Sequence, residues 1–259
     1  MTKPVNVLTL GPIRATQKDL EDLQADGQFH LFQINEATVE QFHSKIKDIS
    51  AHHNISVVMA TYSPILRRLD ETTFLPLLPH LRLVAGSGAG YDNVDVDFLT
   101  KNGVYYANTP VAVSDPTATT TVMLILQTIR NYTQAAENVR KGDWVNGLPF
   151  TPNVHGLVVG IVGMGMIGKL VRDKVTALGM KVVYYNRTRL PEEEEKGATY
   201  LEFDQLLRQS RLITLHCPLT PATRHLLSDD QFAKMQDGVF IVNTARGPGT
   251  SSCGQLADC

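Results

Sequence analysis

Short apolar runs alternate with longer amphipathic stretches in the first part of the chain. The apolar runs are VNVLTL (5–10), FHLFQI (29–34), ISVVMA (55–60), LRLVAG (81–86) and VYYAN (104–108). The stretches between them have helical spacing, most clearly at 15–25, 38–49 and 70–79. Because parallel strands must be joined by crossover connections, this order predicts a parallel sheet with helices on both faces. We expect an α/β domain over residues 1–108.

A second alternation follows a long helical stretch. Residues 115–140 predict one helix, with Asp115 as its cap and Pro116 in its first turn. The later strand runs are LVVGIV (157–162), KVVYYN (181–186), LITLHC (212–217) and VFIVNT (239–244), with helices predicted at 166–179 and 203–209. This order predicts a second α/β domain that begins near residue 109.

Composition narrows the function classes. The chain has 259 residues, with 24 Lys and Arg against 26 Asp and Glu, and a formal net charge of -2. This balance argues against the basic surface of a nucleic-acid-binding protein. No apolar run reaches the ~18 residues of a spanning helix, and the apolar stretch at the N-terminus is too short for a signal peptide. We expect a cytoplasmic protein whose partners include neither nucleic acid nor membrane.

Cysteines and the one charge run add little chemistry. The three cysteines are Cys217, Cys253 and Cys259, a number and spacing that predict neither a disulfide framework nor a metal site. The four consecutive glutamates at 192–195 are expected to form a solvated helix start or loop without a ligand role.

A glycine motif directly after the run LVVGIV points to a dinucleotide. Residues 163–168 read GMGMIG, a GxGxxG pattern that opens a helical stretch. In that context Gly163 allows a tight turn, Gly165 lets the backbone approach a diphosphate, and Gly168 lets the helix pack on the strand. The N–H groups and positive dipole end of the helix then face the diphosphate.

The end of the next strand run indicates which dinucleotide is preferred. Enzymes that use NAD usually place Asp or Glu about 20 residues after the glycines, on the ribose 2′-hydroxyl. The sequence there is YNRTR, without a carboxylate. Arg187 and Arg189 are suited to charge-assisted hydrogen bonds with a 2′-phosphate, each worth ~1.5–3 kcal/mol. We therefore predict NADP(H) in preference to NAD(H), with two surface arginines as the alternative.

Four segments together resemble the D-isomer-specific 2-hydroxyacid dehydrogenases. They are GSGAGYDNVD (86–95), NTP followed by SDPTA (108–118), GIVGMGMIG (160–168), and LHCPLTPATRHLL leading to MQDGVFIVNTARG (215–247). The YNRTR stretch is most similar to the glyoxylate/hydroxypyruvate reductase branch. The resemblance implies a flavodoxin-like substrate domain over 1–108, an incomplete Rossmann-type doubly wound domain over 109–247, substrate in the cleft, and a homodimer.

The resemblance also assigns site residues. Arg246 matches the catalytic arginine that binds the 2-keto acid and polarises its carbonyl, a task for which the guanidinium fork suits it. The substrate carboxylate is expected at Gly88, Ala89 and Gly90, where a glycine-rich turn can form an anion-binding nest. Cofactor contacts are expected from Thr117, Gly163, Gly165, Met166, Ile167, Gly168, Asn186, Arg187, Thr188, His216, Cys217, Pro218, Thr223, Thr244 and Ala245.

The family's acid–base pair has no match here. In relatives a glutamate and then a proton-donating histidine follow the arginine, whereas only 13 residues follow Arg246 and none is His or Glu. The resemblance thus implies a truncated chain with a disordered tail at 248–259. We expect it to reduce glyoxylate at least ~100-fold more slowly than a version extended with a family-like C-terminal segment. His216 is a weak substitute, because relatives with the usual histidine share the LHCPLT pattern.

Two other functions stay open on the sequence. One is an NAD-dependent dehydrogenase that acts on a different 2-hydroxy acid. The other is a non-catalytic dinucleotide-binding protein, as in the corepressors that share this fold. The absent His and Glu favour the second, whereas Arg246 and the GAGYD loop favour descent from an enzyme.

Overall fold

The computed structural model describes residues 4–11, 13, 17–61 and 68–251. The chain divides into two compact units, Met1–Ala112 and Val113–Cys259. The boundary between them lies four residues after the one predicted at 108/109. Each unit is built on its own five-stranded sheet.

The first unit has a parallel sheet in the order β2-β1-β3-β4-β5. This order is the flavodoxin-like one, and it confirms the predicted fold of the first domain. The strands are β1 (Val5–Leu10), β2 (Phe29–Ile34), β3 (Val57–Ala60), β4 (Leu83–Gly86) and β5 (Tyr105–Ala107). The helices are α1 (Gln17–Ala25), α2 (Val39–His52), α3 (Glu71–Phe74), which continues as a 3₁₀ turn at Leu75–Leu77, and α4 (Val96–Lys101).

Apolar side chains from strands and helices form the core of this unit. Leu8 and Val84 of the sheet pack with Phe42 and Ile46 of α2, and all four are buried. Thr38 caps α2 by accepting a hydrogen bond from the N–H of Gln41 at 3.2 Å. The helical spacing of 38–49 therefore reflects burial of one face against the sheet.

The long helix between the two alternations differs from the prediction. It begins at Pro110 rather than at Asp115, as α5 (Pro110–Ile129), and is followed by a separate α6 (Tyr132–Lys141). Pro110 has the fixed φ and missing N–H that suit a first helical position. Asp115 forms an ion pair with Lys174 at 2.9 Å instead of capping. Asn131, with a φ of 47°, separates the two helices.

The second unit has a parallel sheet in the order β10-β9-β6-β7-β8. If β6 is numbered as strand 1 and the sheet is read from β8, the order is 3-2-1-4-5. This is the order of a doubly wound dinucleotide-binding fold. Its strands are β6 (Val158–Val162), β7 (Lys181–Tyr185), β8 (Thr199–Tyr200), β9 (Leu212–Leu215) and β10 (Phe240–Asn243). Its helices after α6 are α7 (Met166–Ala177), α8 (Glu192–Glu195), α9 (Phe203–Gln209) and α10 (Asp229–Phe232).

Helices cover this sheet on both faces, as predicted. One apolar cluster joins Ile125 of α5 and Val171 of α7 to Ile161 of β6. A second, separate cluster of buried residues joins Leu206 of α9 to Ile213 of β9. Side chains of β6 and β9 are divided between the two clusters, as expected for a sheet that is buried on both faces.

The start of the expected tail is ordered. The backbone N–H of His225 donates to Pro248 O at 2.8 Å, and the N–H of Ser251 donates to Leu227 O at 2.9 Å. The prediction of a disordered segment from 248 was therefore wrong for residues 248–251, because backbone pairing with 225–227 satisfies their polar groups. Residues 252–259 of that prediction, with Cys253 and Cys259, lie outside the described residues.

Candidate functional site

Strand register gathers most of the predicted site residues at one edge of the second sheet. Val162 is aligned with Tyr185 of β7 and with Leu215 of β9, and Leu215 is aligned with Asn243 of β10. The segments that follow these strands therefore emerge at a common carboxyl edge. They are residues 163–168, 186–188, 216–218 and 244–246. The strand order reverses between β6 and β9, where open α/β sheets bind ligands.

Backbone packing explains two of the three motif glycines. Gly163 has a φ of 96°, and a Cβ on it would lie 2.8 Å from the backbone N of Cys217. A Cβ on Gly168 would overlap the carbonyl oxygen of Gly163. Neither position admits a side chain without moving backbone, so the turn and the close start of α7 both depend on glycine.

Gly165 has a different environment. No atom lies within 4 Å of where its Cβ would be, and its φ of −83° suits any residue. It is the N-cap of α7 and makes no side-chain capping bond. Met166 is 50% exposed at the first helical position and Ile167 follows it. The open space and the uncapped N–H groups fit a diphosphate bound at the helix N-terminus.

Asn186 holds the glycine loop from the neighbouring strand. Its Oδ1 accepts a hydrogen bond from the N–H of Met164 at 2.7 Å. This hydrogen bond anchors the loop after β6 to the end of β7. Arg187 and Thr188 follow it with exposed side chains. Within the described ranges neither side chain has a hydrogen-bond or ion-pair partner.

Arg189 has a protein partner that the sequence did not predict, although its side chain is 61% exposed. Its Nε donates to Oε1 of Glu195 at 2.7 Å, and its second guanidinium nitrogen donates to Oε2 at 3.1 Å. This bidentate pair uses the fork that a 2′-phosphate would need. Glu195 is itself buried, so the expectation of four solvated glutamates was wrong at this position. Glu192 and Glu193 are exposed.

His216 and Cys217 follow β9 and lie against the glycine loop. Burial lowers the pKa of His216 from its ordinary 6.5 to about 4, and its Nε2 lies 3.0 Å from the hydroxyl of buried Thr214. Burial also raises the pKa of the Cys217 thiol. At pH 7 both side chains are therefore neutral. His216 is a poor proton donor there, which weakens it further as a substitute acid.

Thr223 shapes the turn that begins at exposed Pro218. Its hydroxyl donates to the carbonyl oxygen of Pro218 at 2.6 Å and accepts from the N–H of Thr220 at 2.8 Å. The hydroxyl predicted to contact the cofactor is thus used inside the turn. The structure gives Thr223 the role of fixing Pro218.

Asn243 organises the segment that contains Arg246. Its side-chain amide donates to the carbonyl oxygen of Arg246 at 2.9 Å, and its Oδ1 accepts from the N–H of Ala245 at 3.0 Å. An Arg246 guanidinium nitrogen donates to Ala245 O at 2.8 Å. Sequence reasoning did not identify Asn243, although the end of the strand run VFIVNT marked its place.

Thr117 lies on α5, and Thr244 contacts the same helix. The hydroxyl of Thr244 lies 2.8 Å from that of Thr121, which is fully buried and donates to Thr117 O. The Thr117 hydroxyl donates to Val113 O at 2.7 Å within the helix. Thr121 was not predicted, and its hydroxyl ties the segment before Arg246 to the buried face of α5.

The predicted anion loop of the first unit is held by two side chains from the end of β5. The N–H of Gly88 donates to the hydroxyl of Thr109 at 2.8 Å, so this amide already has a protein acceptor, and a substrate contact at Gly88 stays a prediction. Asn108 donates from Nδ2 to Ala89 O at 2.8 Å. In the described structure the N–H groups of Ala89 and Gly90 have no protein acceptor, which fits an anion-binding turn.

The described residues form neither a metal site nor a membrane-spanning helix. No group of three or more His, Cys, Asp or Glu side chains in them is arranged to hold a metal ion. None of the helices described above has both the length and the apolar character needed to cross a membrane.

Comparisons with known proteins agree with this geometry. The family model described as "D-isomer specific 2-hydroxyacid dehydrogenase, NAD binding domain" matches residues 122–252. A relative from Schizosaccharomyces pombe is 49% identical over 174 residues, which are 66% of this chain and 51% of that relative. Glyoxylate reductase 1 of Saccharomyces cerevisiae is 35% identical over 261 residues, covering 95% of this chain and 73% of the yeast protein.

A solved structure is similar over nearly the whole chain. The crystal structure of a glyoxylate reductase from Paecilomyes thermophila has a TM-score of 0.89 and 32% sequence identity, with 96% of this chain and 76% of that one covered. The similarity extends over both units.

Proposed function

The chain belongs to the D-isomer-specific 2-hydroxyacid dehydrogenase family, and we propose that it binds NADP(H) and reduces a small 2-keto acid of the glyoxylate or hydroxypyruvate type. The family consists of NAD(P)-dependent oxidoreductases, and its second domain binds a nicotinamide dinucleotide. The finer assignment of cofactor and substrate rests on individual side chains of this chain.

The glycine loop after β6 supplies the cofactor's diphosphate site in this proposal. The free N–H groups at the start of α7 and the open space at Gly165 favour an anion there. Asn186 keeps the loop in place through the Met164 amide. When bound, the nicotinamide ring supplies the hydride for reduction of the keto group.

The single observation that supports NADP(H) is Arg187. It is an exposed cation without a protein partner in the described structure, at a strand end that has no carboxylate. A carboxylate at this place would repel a 2′-phosphate, whereas a guanidinium forms charge-assisted hydrogen bonds with it. One such bond is worth ~1.5–3 kcal/mol, or roughly ten- to hundred-fold in affinity. Because Arg189 is paired with Glu195, we attribute the preference to Arg187 alone.

Two regions are proposed to bind the 2-keto acid. In the second unit, Arg246 has a guanidinium fork that matches a carboxylate and a neighbouring carbonyl oxygen. Its position is fixed by Asn243. In the first unit, the N–H groups of Ala89 and Gly90 are proposed to donate hydrogen bonds to a carboxylate oxygen in the turn that Thr109 and Asn108 hold.

Calorimetric titration of the full chain with NADPH and NADH tests this proposal. We expect NADPH to bind at least ~10-fold more tightly, and Arg187→Ala to remove most of the difference by weakening NADPH alone. Arg208→Ala, which removes an exposed arginine from α9, is the matched control and should change neither affinity. Equal wild-type affinities would refute NADP(H) and favour the NAD-dependent alternative.

We further propose a homodimer that buries an apolar surface of the second unit. The segment from α5 to the loop after α6 exposes several large apolar side chains, among them Trp144 at 72% and Phe150 at 108%. Monomeric proteins rarely leave extended apolar surface in water. Sedimentation at increasing concentration should show a dimer, and Trp144→Glu should convert it to a monomer. A wild-type monomer at all concentrations would contradict this proposal.

A further inference from the structure

A buried carboxylate lies beside the strand end that carries Arg187. Glu195 is 7% exposed, and each of its two oxygens has a charged or hydroxyl donor. Oε1 accepts from Arg189 Nε and from the hydroxyl of Tyr184, both at 2.7 Å, and Oε2 accepts from Arg189 at 3.1 Å. A carboxylate this far out of water is stabilised only by such a set of donors.

The same group fixes the connection between β7 and α8. Tyr184 is fully buried on β7, and its hydroxyl accepts the N–H of Leu190 at 3.1 Å while it donates to Glu195. Arg189 is therefore held to α8, and the next residue is held to β7. With Asn186 bound to the glycine loop at the other end, residues 187 and 188 are fixed from both sides.

A second set of contacts fixes α8 to α7. Lys169 pairs with Glu194, and Arg172, which is 2% exposed, donates to the carbonyl oxygen of Glu194. Because α7 begins at the glycine loop, α8 has a defined position relative to the proposed diphosphate site. The connection that carries Arg187 is therefore attached to the helix whose N-terminus faces the cofactor.

We propose that Glu195 is a positioning residue for cofactor discrimination, which holds Arg187 in place for the 2′-phosphate through its bonds to Arg189 and Tyr184. The inference rests on the proposed NADP(H) function and deepens it. It also assigns Arg189 a different role from Arg187: the first neutralises and holds Glu195, and the second contacts the ligand. Because both residues are arginines, the sequence alone does not show that their roles differ.

The ionisation of the pair is consistent with this role. The hydrogen bond from Arg189, and to a smaller extent the one from Tyr184, lowers the pKa of Glu195. The hydrogen bond to Glu195 in turn raises the pKa of Arg189. The carboxylate and the guanidinium are both charged at neutral pH, so their contact forms under the conditions in which the cofactor binds. We call the contacts of Glu195 with Arg189 and Tyr184 the latch.

Affinities of isosteric variants test the proposal. In the full chain we expect Glu195→Gln and Arg189→Gln each to weaken NADPH binding about tenfold and NADH binding less than ~2-fold. The double variant should be no weaker than either single variant, because both changes open one latch. Tyr184→Phe, which keeps the ring in the core, should give a smaller change of the same kind.

Three results would overturn the positioning role. A direct 2′-phosphate ligand at Arg189 predicts that Arg189→Gln weakens NADPH binding while Glu195→Gln leaves it unchanged or tighter. A purely structural role predicts that both cofactors weaken equally. NADPH affinity unchanged in all three variants would show that the latch does not affect Arg187.

A separate readout distinguishes this failure from that of the proposed function. If wild type binds both cofactors equally, the NADP(H) proposal fails and the discrimination role fails with it. If wild type prefers NADPH but Glu195→Gln has the same preference, only the latch is wrong. Hydrogen exchange of the Leu190 amide without cofactor, expected to be at least ~10-fold faster in Glu195→Gln, shows whether the latch was opened.

Discussion

The glycine loops after β4 and β6 are both proposed to bind anions, but they are held in shape in different ways. After β6, backbone atoms fill the space that side chains of Gly163 and Gly168 would need. After β4, Gly88 has a φ of 108° but open space around it, and Thr109 and Asn108 hold the turn by hydrogen bonds. One loop is fixed by close backbone packing, and the other by side chains from another strand end.

This difference determines which substitutions each loop tolerates. Backbone packing cannot relax without moving β6, β9 and α7, because their segments are in direct contact. A hydrogen-bonded turn can lose one bond and keep its path, at a cost of about 1 kcal/mol. Substitutions of the packed glycines Gly163 and Gly168 after β6 should therefore cost the most stability, whereas loss of one hydrogen bond at the loop after β4 should cost little stability and a similar amount of ligand affinity.

The largest effect is expected from Gly168→Ala. Alanine is normally favoured over glycine inside a helix by up to ~1 kcal/mol, but here its Cβ overlaps Gly163 O, so we expect a loss of about 3 kcal/mol or more. Gly165→Ala, with open space around its Cβ, should cost less than about 1 kcal/mol. Urea unfolding of both variants measures the difference. Equal stabilities would mean that backbone packing does not fix this loop.

Arg246→Gln should have the next largest effect, on ligand binding rather than on folding. Loss of a charge-assisted bond is expected to weaken oxalate, a mimic of the keto acid, by ~1.5–3 kcal/mol. Arg246→Lys keeps the charge without the fork and should be intermediate. Calorimetry in the presence of NADPH provides the affinities. Unchanged oxalate affinity in Arg246→Gln would remove this side chain from the substrate site.

Protonation of His216 should disturb the loop that is fixed by backbone packing. The folded pKa of about 4 lies below the ordinary 6.5, so the folded state binds fewer protons. The stability that this contributes is complete above pH 6.5 and is lost as the pH falls towards 4. Between pH 8 and pH 5 the loss should be about 2 kcal/mol, and His216→Gln should not show it. Parallel pH dependence of the two proteins would argue against a buried neutral histidine.

The smallest effect is expected at the other loop, in Thr109→Val. Without the hydroxyl the N–H of Gly88 loses its acceptor, which should cost about 1 kcal/mol in stability and weaken oxalate by a similar amount. Thr109→Ser restores the acceptor and should behave as wild type. If valine costs as much as Gly168→Ala does, the distinction between the two loops is not valid.

Local patterns predicted most of the fold. The apolar runs and glycine spacing identified both sheets and the loop after β6, because each depends on residues close together in the chain. The helix predicted at 115–140 was wrong at its start, since α5 begins at Pro110, and in its continuity, since Asn131 separates α5 from α6. The two-residue strand β8 is too short to produce a pattern of its own.

Contacts that no sequence motif marks explain what the sequence did not predict at the site. Arg187 and Arg189 look alike in sequence, and only the fold brings Glu195, one of four adjacent glutamates, to Arg189. The acceptor for the Gly88 amide lies 21 residues further along the chain. The contact of Gly88 with Thr109 is set by the neighbouring ends of β4 and β5, and the contact of Arg189 with Glu195 by the path of the chain between β7 and α8. Neither has a pattern of its own in the sequence.

Calorimetric titration of NADPH into wild type and Gly165→Val tests most directly whether the edge after β6 is the cofactor site. The valine side chain would occupy the open space at the start of α7, where φ is −83° and a Cβ meets no atom of the rest of the protein within 4 Å. We predict a wild-type thermal unfolding curve for the variant and a loss of NADPH affinity of at least ~100-fold, or about 3 kcal/mol. NADPH binding to Gly165→Val with the wild-type affinity would contradict this placement of the cofactor.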